Sequence, residues 1–249
     1  MERKDINTEE QQRDYYNRIS KEYNQHYLSD ESLSYRVRVF DKILSDIELR
    51  RARVLDAMCG GGQSTGYFLS RGAKVCGVDI SEQQIETFSQ RYPTCEAHCC
   101  SILQVSLPDD QFDVISVESL HHLPPHISEG IGELRRLLKP GGVLLIWEPS
   151  AGSLFDLFRK LWYRLDRRFF LSNERSISMS EIEASFGSPP ERVWFGGGVG
   201  YLLVTGSMQL RIPQPFVRFY ARPLMWLEDQ LAFLHGRLFC CWVAATFRK

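Results

Sequence analysis

The sequence predicts an α/β fold: a mostly parallel sheet with helices on both faces. Between residues 52 and 147, short apolar runs alternate with stretches of helical periodicity, the pattern of successive βαβ units. The first of those runs passes straight into Gly60-Gly61-Gly62, a bend suited to joining a strand to a helix. With 249 residues, 43% hydrophobic and 24% charged, the chain has the composition of an ordinary globular domain.

Residues 9–28 are polar with recurrent tyrosines. Tyr16, Tyr23 and Tyr27 are spaced by seven and four, which puts them on one helical face. That face suits a helix on the domain edge and a lid over a ligand equally. Residues 34–49 form a second helix, with Val37, Phe40, Leu44 and Ile47 inward. Ala52–Asp56 is the first strand, and a helix from Ser64 to about Arg71 stops at Gly72. Lys74–Asp79 is a second strand, followed by a helix capped by Ser81. A weak strand over 94–100, a strand at Phe112–Val117 and a helix from Ile127 to Leu138 come next. Lys139-Pro140-Gly141-Gly142 is a turn, and Val143–Trp147 is a further strand. Crossovers between these parallel strands are expected to be right-handed.

Beyond Pro149 the character changes. Phe155, Phe158, Leu161, Trp162, Leu165 and Phe169 mingle with Arg159, Lys160, Arg164, Arg167 and Arg168. We expect a cap helix that buries its apolar face, the alternative being a segment against a membrane or over a hydrophobic substrate. A short helix near 179–186, a Pro-Pro turn at 189–190 and the glycines at 196–200 follow. Residues 213–235 are helical, and Phe239–Phe247 is a closing strand. The expected organisation is lid helices over 1–33, a core over 34–149, a substrate-side cap over 150–212, and a helix and strand over 213–249 that complete the sheet.

The side-chain-free bend lets a ligand approach the backbone, and helix-start amides then face that ligand. Asp79 ends the second strand 17 residues past Gly62, where a carboxylate accepts from both hydroxyls of a ribose and repels a phosphate there. A dinucleotide fingerprint fits poorly, because Thr65 stands where its third glycine would fall, and no Gly-Lys-[Ser/Thr] follows the loop.

Four segments in order extend this pattern: Val54–Gly62, Val75–Ser81, Leu107–Ile115 and Leu134–Gly142. Together they resemble the motifs of class I S-adenosylmethionine-dependent methyltransferases, nearest the small-molecule, ubiquinone/menaquinone-biosynthesis-like group. The resemblance covers roughly residues 12–150 and the last strand. It implies a Rossmann-like, seven-stranded, mostly parallel sheet with a C-terminal cap insertion, and S-adenosyl-L-methionine as cofactor. In the loop it implies that Asp56, Gly60 and Gly62 hold the methionine portion, with Ala57 and Cys59 also counted as cofactor-binding. Asp79 would take the ribose, Ile80 would flank the adenine, and Ser101 and Ile102 would lie on the adenine side. Glu118 to His121 would form the pocket floor, and Tyr16 and Tyr23 match the family's lid region. Met58 departs from the family's usual glycine and Ser101 from its frequent aspartate.

Methyl transfer needs orientation above all, and a base only where the acceptor arrives protonated. His121, and less so His122, are base candidates past the fourth strand, at the carboxyl end where open α/β sheets carry their sites. Glu148, ending the fifth strand, is a second candidate, and His126 is expected to be solvated. The expected activity is methylation of a small, partly hydrophobic metabolite, oxygen being favoured over carbon or nitrogen. Alternatives are a cofactor binder without transfer, an NAD-type oxidoreductase, and a protein or RNA methyltransferase. The 30 basic and 31 acidic residues, net charge −1, argue against a nucleic-acid footprint and a polybasic anchor. Seven cysteines without a C-x-x-C spacing suit reduced thiols, and no metal is expected. The charged start Met1–Asp5 lacks an apolar core, so a cytoplasmic protein without stable membrane insertion is expected.

Overall fold

A computed structural model describes residues 2–165 and 173–249. Arg167, Arg168 and Phe169 of the basic tract lie outside the described residues. The chain runs through α1 (Glu2–Tyr27), α2 (Asp30–Ile43), β1 (Arg53–Ala57), α3 (Thr65–Ser70), β2 (Lys74–Asp79), α4 (Glu82–Arg91), β3 (Glu96–Cys99) and β4 (Phe112–Val117). It continues through α5 (Ile127–Leu137), β5 (Leu138–Pro149), α6 (Leu154–Leu165), α7 (Met179–Phe186), β6 (Arg192–Gly196), α8 (Val199–Val204), α9 (Gln214–Gln230) and β7 (Trp242–Arg248).

One seven-stranded sheet is ordered β3-β2-β1-β4-β5-β7-β6. The pairs from β3 to β5 are parallel, and β7 runs antiparallel to both β5 and β6. The order reverses between β1 and β4, which opens a crevice at their carboxyl ends. Each face of the sheet carries its own core. Phe40, Phe68, Val54 and Trp147 belong to one, with α2, α3 and α9. Leu55, Ile115, Ile131 and Phe186 belong to the other, with α5 and α7. The Ser81 cap forms as expected, its hydroxyl accepting from Gln84 N at 3.2 Å.

Several expectations are corrected. α2 starts four residues early, so a boundary after residue 33 would cut it. Its buried face is Tyr35, Arg36, Val39, Phe40 and Ile43, and Val37 is exposed. The face shifts because the helix packs Tyr35 and Phe40 onto Trp147 of β5. β5 begins at Leu138 rather than Val143, with 139–142 bulging between the Phe112–Leu138 and Val114–Val143 pairs. The segment 150–212 is more than a cap, because its β6 joins the sheet. Gly196 is required there: a Cβ would stand 2.3 Å from the Trp242 ring. Finally, α6 does not bury its apolar stripe; Leu157, Phe158, Leu161 and Leu165 are exposed.

Candidate active site

β1 ends at the Met58–Gly62 bend, and β2 brings Asp79 alongside it. Gly60 N donates to Asp79 Oδ2 at 2.8 Å and Ser81 N donates to Oδ1 at 2.9 Å. Burial pushes the Asp79 carboxyl up while these amide donors pull it down, and the balance is a raised pKa. Each oxygen keeps acceptor capacity toward the crevice. Gly62 takes φ +84° and lies so close to Tyr92 that a Cβ would sit 2.5 Å from its ring. Met58, at φ 56°, holds without strain relief a conformation that glycine adopts freely.

The crevice is a cleft of about 770 Å³ counted with its open mouth. Tyr16, Tyr23, Gly60, Asp79, Ile80, Ser101 and Ile102, all expected there from the sequence, line it. Asp56, Ala57, Cys59, Gly62 and Glu118 do not. Asp56 is buried beneath the bend, where Thr65 Oγ1 donates to it at 2.6 Å and burial raises its pKa to about 7. Ala57 and Cys59 point into the core. Glu118 turns the other way, gripped by Arg36 through contacts of 2.7–3.1 Å and by the Ser64 hydroxyl. A buried guanidinium captures that carboxylate because neither charge is stable there alone.

The sequence reading missed Gln12 and Gln84 on the cleft wall; Ser119 belongs to the expected pocket floor and Met58 to the expected bend, His122 was expected only as a base candidate, and His126, expected in solvent, is a half-buried lining residue. The glutamines carry no motif that would have revealed them. Their side chains do point to a ligand: Gln84 Oε1 and Nε2 and Gln12 Oε1 are buried without a hydrogen-bond partner, a costly state unless something polar binds. A buried carboxylate, an orphaned amide and the apolar Ile80 and Ile102 together suit an adenosine-like group.

A second cavity, about 1960 Å³ with its mouth, adjoins the first. Tyr16, Tyr23, Ser119 and His122 line both. Tyr15, Trp147, Phe155, Trp162 and Tyr201 give the larger one apolar walls. The tyrosine face of α1 is real: Tyr16 meets Tyr23 edge-on at 5.6 Å, and Tyr23 lies 4.3 Å from Tyr27.

The two histidines stand in this second cavity, each with its own carboxylate. His121 Nδ1 lies 2.7 Å from Glu148 Oε2. Glu148 also accepts from Leu120 N at 2.6 Å and His121 N at 3.3 Å. Burial raises Glu148 to about 8 and holds His121 well below its ordinary value. Burial thus disfavours the charged form of each partner. His122 Nδ1 lies 3.1 Å from Glu174, and its Nε2 lies 2.8 Å from the Tyr16 hydroxyl. Burial presses the His122 pKa down, but the Glu174 carboxylate outweighs it and the net shift is upward.

Of the cysteine-rich stretch, His98 gathers with Cys76 and Glu96, their donor atoms within 4.8 Å, rather than with Cys99 or Cys100. Glu96 is meanwhile paired with Arg53 at 3.3 Å.

Residues 54–142 match the family described as "Methyltransferase domain". A malonyl-[acyl-carrier protein] O-methyltransferase of Enterobacter lignolyticus is 31% identical over 142 residues, covering 55% of this chain and 56% of that protein. The chain thus spans little more than half the length of this curated relative. A SAM-dependent methyltransferase structure from Archaeoglobus fulgidus superposes with a TM-score of 0.60 at 19% identity, over 88% of this chain and 95% of that one. Magnesium protoporphyrin IX methyltransferase from Synechocystis, solved with bound SAH, gives 0.61 at 18% identity over 77% and 94%. At these identities the structures speak for the fold, and the sequence match speaks for the domain. Residues 54–142 are a methyltransferase domain, and the fold around them is that of S-adenosylmethionine-dependent methyltransferases of known structure.

Proposed function

We propose that this protein transfers a methyl group from S-adenosyl-L-methionine to an oxygen of a small, partly hydrophobic metabolite held in the larger cavity. The observation that carries this reading is the shared wall: Tyr16, Tyr23, Ser119 and His122 border both cavities, so two ligands would meet there. The relative named an O-methyltransferase supports oxygen as the acceptor atom. When bound, the cofactor supplies an electrophilic methyl on a sulfonium leaving group.

This chain's residues do the rest. Asp79 accepts from the ribose hydroxyls, Ile80 and Ile102 flank the adenine, and Gln84 offers it the unused amide. Glu148 fixes the His121 ring by accepting from Nδ1, which leaves the Nε2 lone pair free. That nitrogen takes the acceptor's hydroxyl proton as its oxygen attacks. Tyr16, tied to His122, closes the wall against water. Holding two reactants in line is worth up to ~7–11 kcal/mol, so a modest base suffices.

The test is transfer of radiolabelled methyl from S-adenosyl-L-methionine into a small-metabolite extract, beside RNA and protein fractions. Calorimetry with S-adenosylhomocysteine and with NADH runs in parallel. Label in the small-metabolite fraction and binding of S-adenosylhomocysteine alone support the reading. Label confined to RNA or protein, or binding without any transfer, overturns it.

A further inference from the structure

The largest feature that methyl transfer leaves unexplained is an exposed apolar face. On α6, Leu154, Leu157, Phe158, Leu161 and Leu165 recur at steps of three, one, three and four, which sets them on one side of the helix. They are 44–76% exposed. A helix in a globular domain normally turns such a stripe inward.

α9 repeats the pattern. Val217, Ala221 and Met225 are buried against the domain, while Phe216, Phe219, Trp226 and Leu227 face outward at the same helical spacing. Phe233, Leu234, Leu238 and Phe239 continue the apolar surface beyond the helix. The pieces adjoin, because Leu154 N donates to Leu238 O at 3.0 Å. An outward apolar area of this kind marks an interaction surface.

Charge identifies the occupant. Of the six cationic residues in the segments 154–165 and 213–239, Arg159 and Lys160 are paired with Asp156 at 2.5 and 2.9 Å, while Arg164, Arg218, Arg222 and Arg237 are exposed; the same segments hold three acidic residues. Of the acidic residues, Asp156 and Glu228 are buried, and Asp229 is paired with Arg38 and Lys42. Arginine and lysine edging a stripe of Leu, Phe and Trp is the chemistry of a helix lying in a lipid interface. A second copy of this chain would set cation against cation across a two-fold axis. Among the described residues no helix is long and apolar enough to cross a bilayer, so the surface lies on the membrane rather than through it.

The face also meets the larger cavity: Phe158 is 70% exposed and lines it.

We propose that the outer face of α6 and α9, with the turn that follows α9, seats on an anionic lipid bilayer, and that the larger cavity opens beside this seat. An acceptor dissolved in the membrane then enters past Phe158 without crossing water. Only this last step rests on the methyl-transfer reading. Vesicle binding is measured without any acceptor, so the two fail separately.

The experiment is co-sedimentation of the full chain with phosphatidylcholine vesicles, with and without about 30% phosphatidylglycerol, at low and high salt. Binding is expected to the anionic vesicles, falling about tenfold or more in high salt or on neutral vesicles. Leu157→Glu with Leu161→Glu, and separately Phe219→Glu with Trp226→Glu, should each reduce binding at least about tenfold. Binding of S-adenosylhomocysteine should be unchanged in both, which reports on the fold. Should an α6 variant fail to fold, Phe233→Glu on the turn makes the same measurement. Absence of vesicle binding overturns the proposal, as does binding that survives both pairs of substitutions. So does a dimer in analytical ultracentrifugation that the substitutions abolish while vesicles are never bound.

Discussion

Glu148→Gln is the sharpest probe of the chemistry, because it changes one atom at a site with no slack. In the deprotonated, basic form three N–H groups converge on this carboxylate: Leu120 N at 2.6 Å, His121 N at 3.3 Å and His121 Nδ1 at 2.7 Å. A carboxylate accepts all three. The glutamine amide has one oxygen, so in either orientation its NH₂ faces one of these donors. The imidazole relieves the conflict by presenting a bare Nδ1, which moves its proton to Nε2 and removes the lone pair offered to the acceptor. Restoring the basic tautomer costs one charge-assisted hydrogen bond and strands a buried donor, together about 3–5 kcal/mol. That corresponds to a fall in kcat of about 10²- to 10⁴-fold.

The pH profile gives a second readout. The Glu148 carboxyl is raised to about 8 by burial. The His121 base works with this group deprotonated, so kcat/KM should climb about tenfold per pH unit below that point and level off above it. The variant should lose this limb. The assay is labelled-methyl transfer from pH 6 to 10 with saturating cofactor, with S-adenosylhomocysteine affinity as the control for an intact fold. A variant that keeps both native kcat and the limb near pH 8 would falsify the assignment of His121 as base.

Three further outcomes follow from the site. Asp79→Ala should weaken S-adenosylhomocysteine binding in calorimetry more than about tenfold, or ~1.4 kcal/mol; native affinity would remove Asp79 from the ribose. Gly62→Ala should lower stability by about 2–4 kcal/mol in urea unfolding, since it combines left-handed strain with overpacking on Tyr92; a loss within 0.5 kcal/mol, roughly the scatter of surface substitutions, would mean the bend yields. Asp56, raised by burial to about 7, contributes stability below its unfolded pKa that is lost as pH rises through about 7. Asp56→Asn stays neutral, so its melting temperature should fall less than the native protein's between pH 5 and 8; parallel curves would refute the shift.

The parallel half of the fold was legible because its signals are local. β2 and β4 were bounded correctly from their apolar runs, and the Ser81 cap from one residue type in the right place. Asp79 was legible for the same reason: its distance from the glycines fixes where a second strand must end. What was illegible depends on partners far along the chain. β6 hides between a Pro-Pro turn and three glycines, and only contact with Trp242 explains why those glycines end a strand. Gln84 looks like any polar residue in a helix until the cleft forms over it. Glu118 was placed with the cofactor because nothing nearby in sequence announces Arg36, 82 residues earlier, as its partner. The apolar stripe of α6 was read correctly as a stripe, but periodicity does not say whether protein or something else covers it.

One helix supplying two tyrosines to a common partition has a consequence for turnover. Tyr16 and Tyr23 sit on α1, outside the matched stretch 54–142, and border both chambers. A shift of α1 that admits or discharges one ligand therefore unseals the other. The spent nucleoside and the methylated product would leave through coupled openings, and changes at the α1 contacts with Glu82 and Thr87 would alter both release rates together while leaving the chemical step untouched.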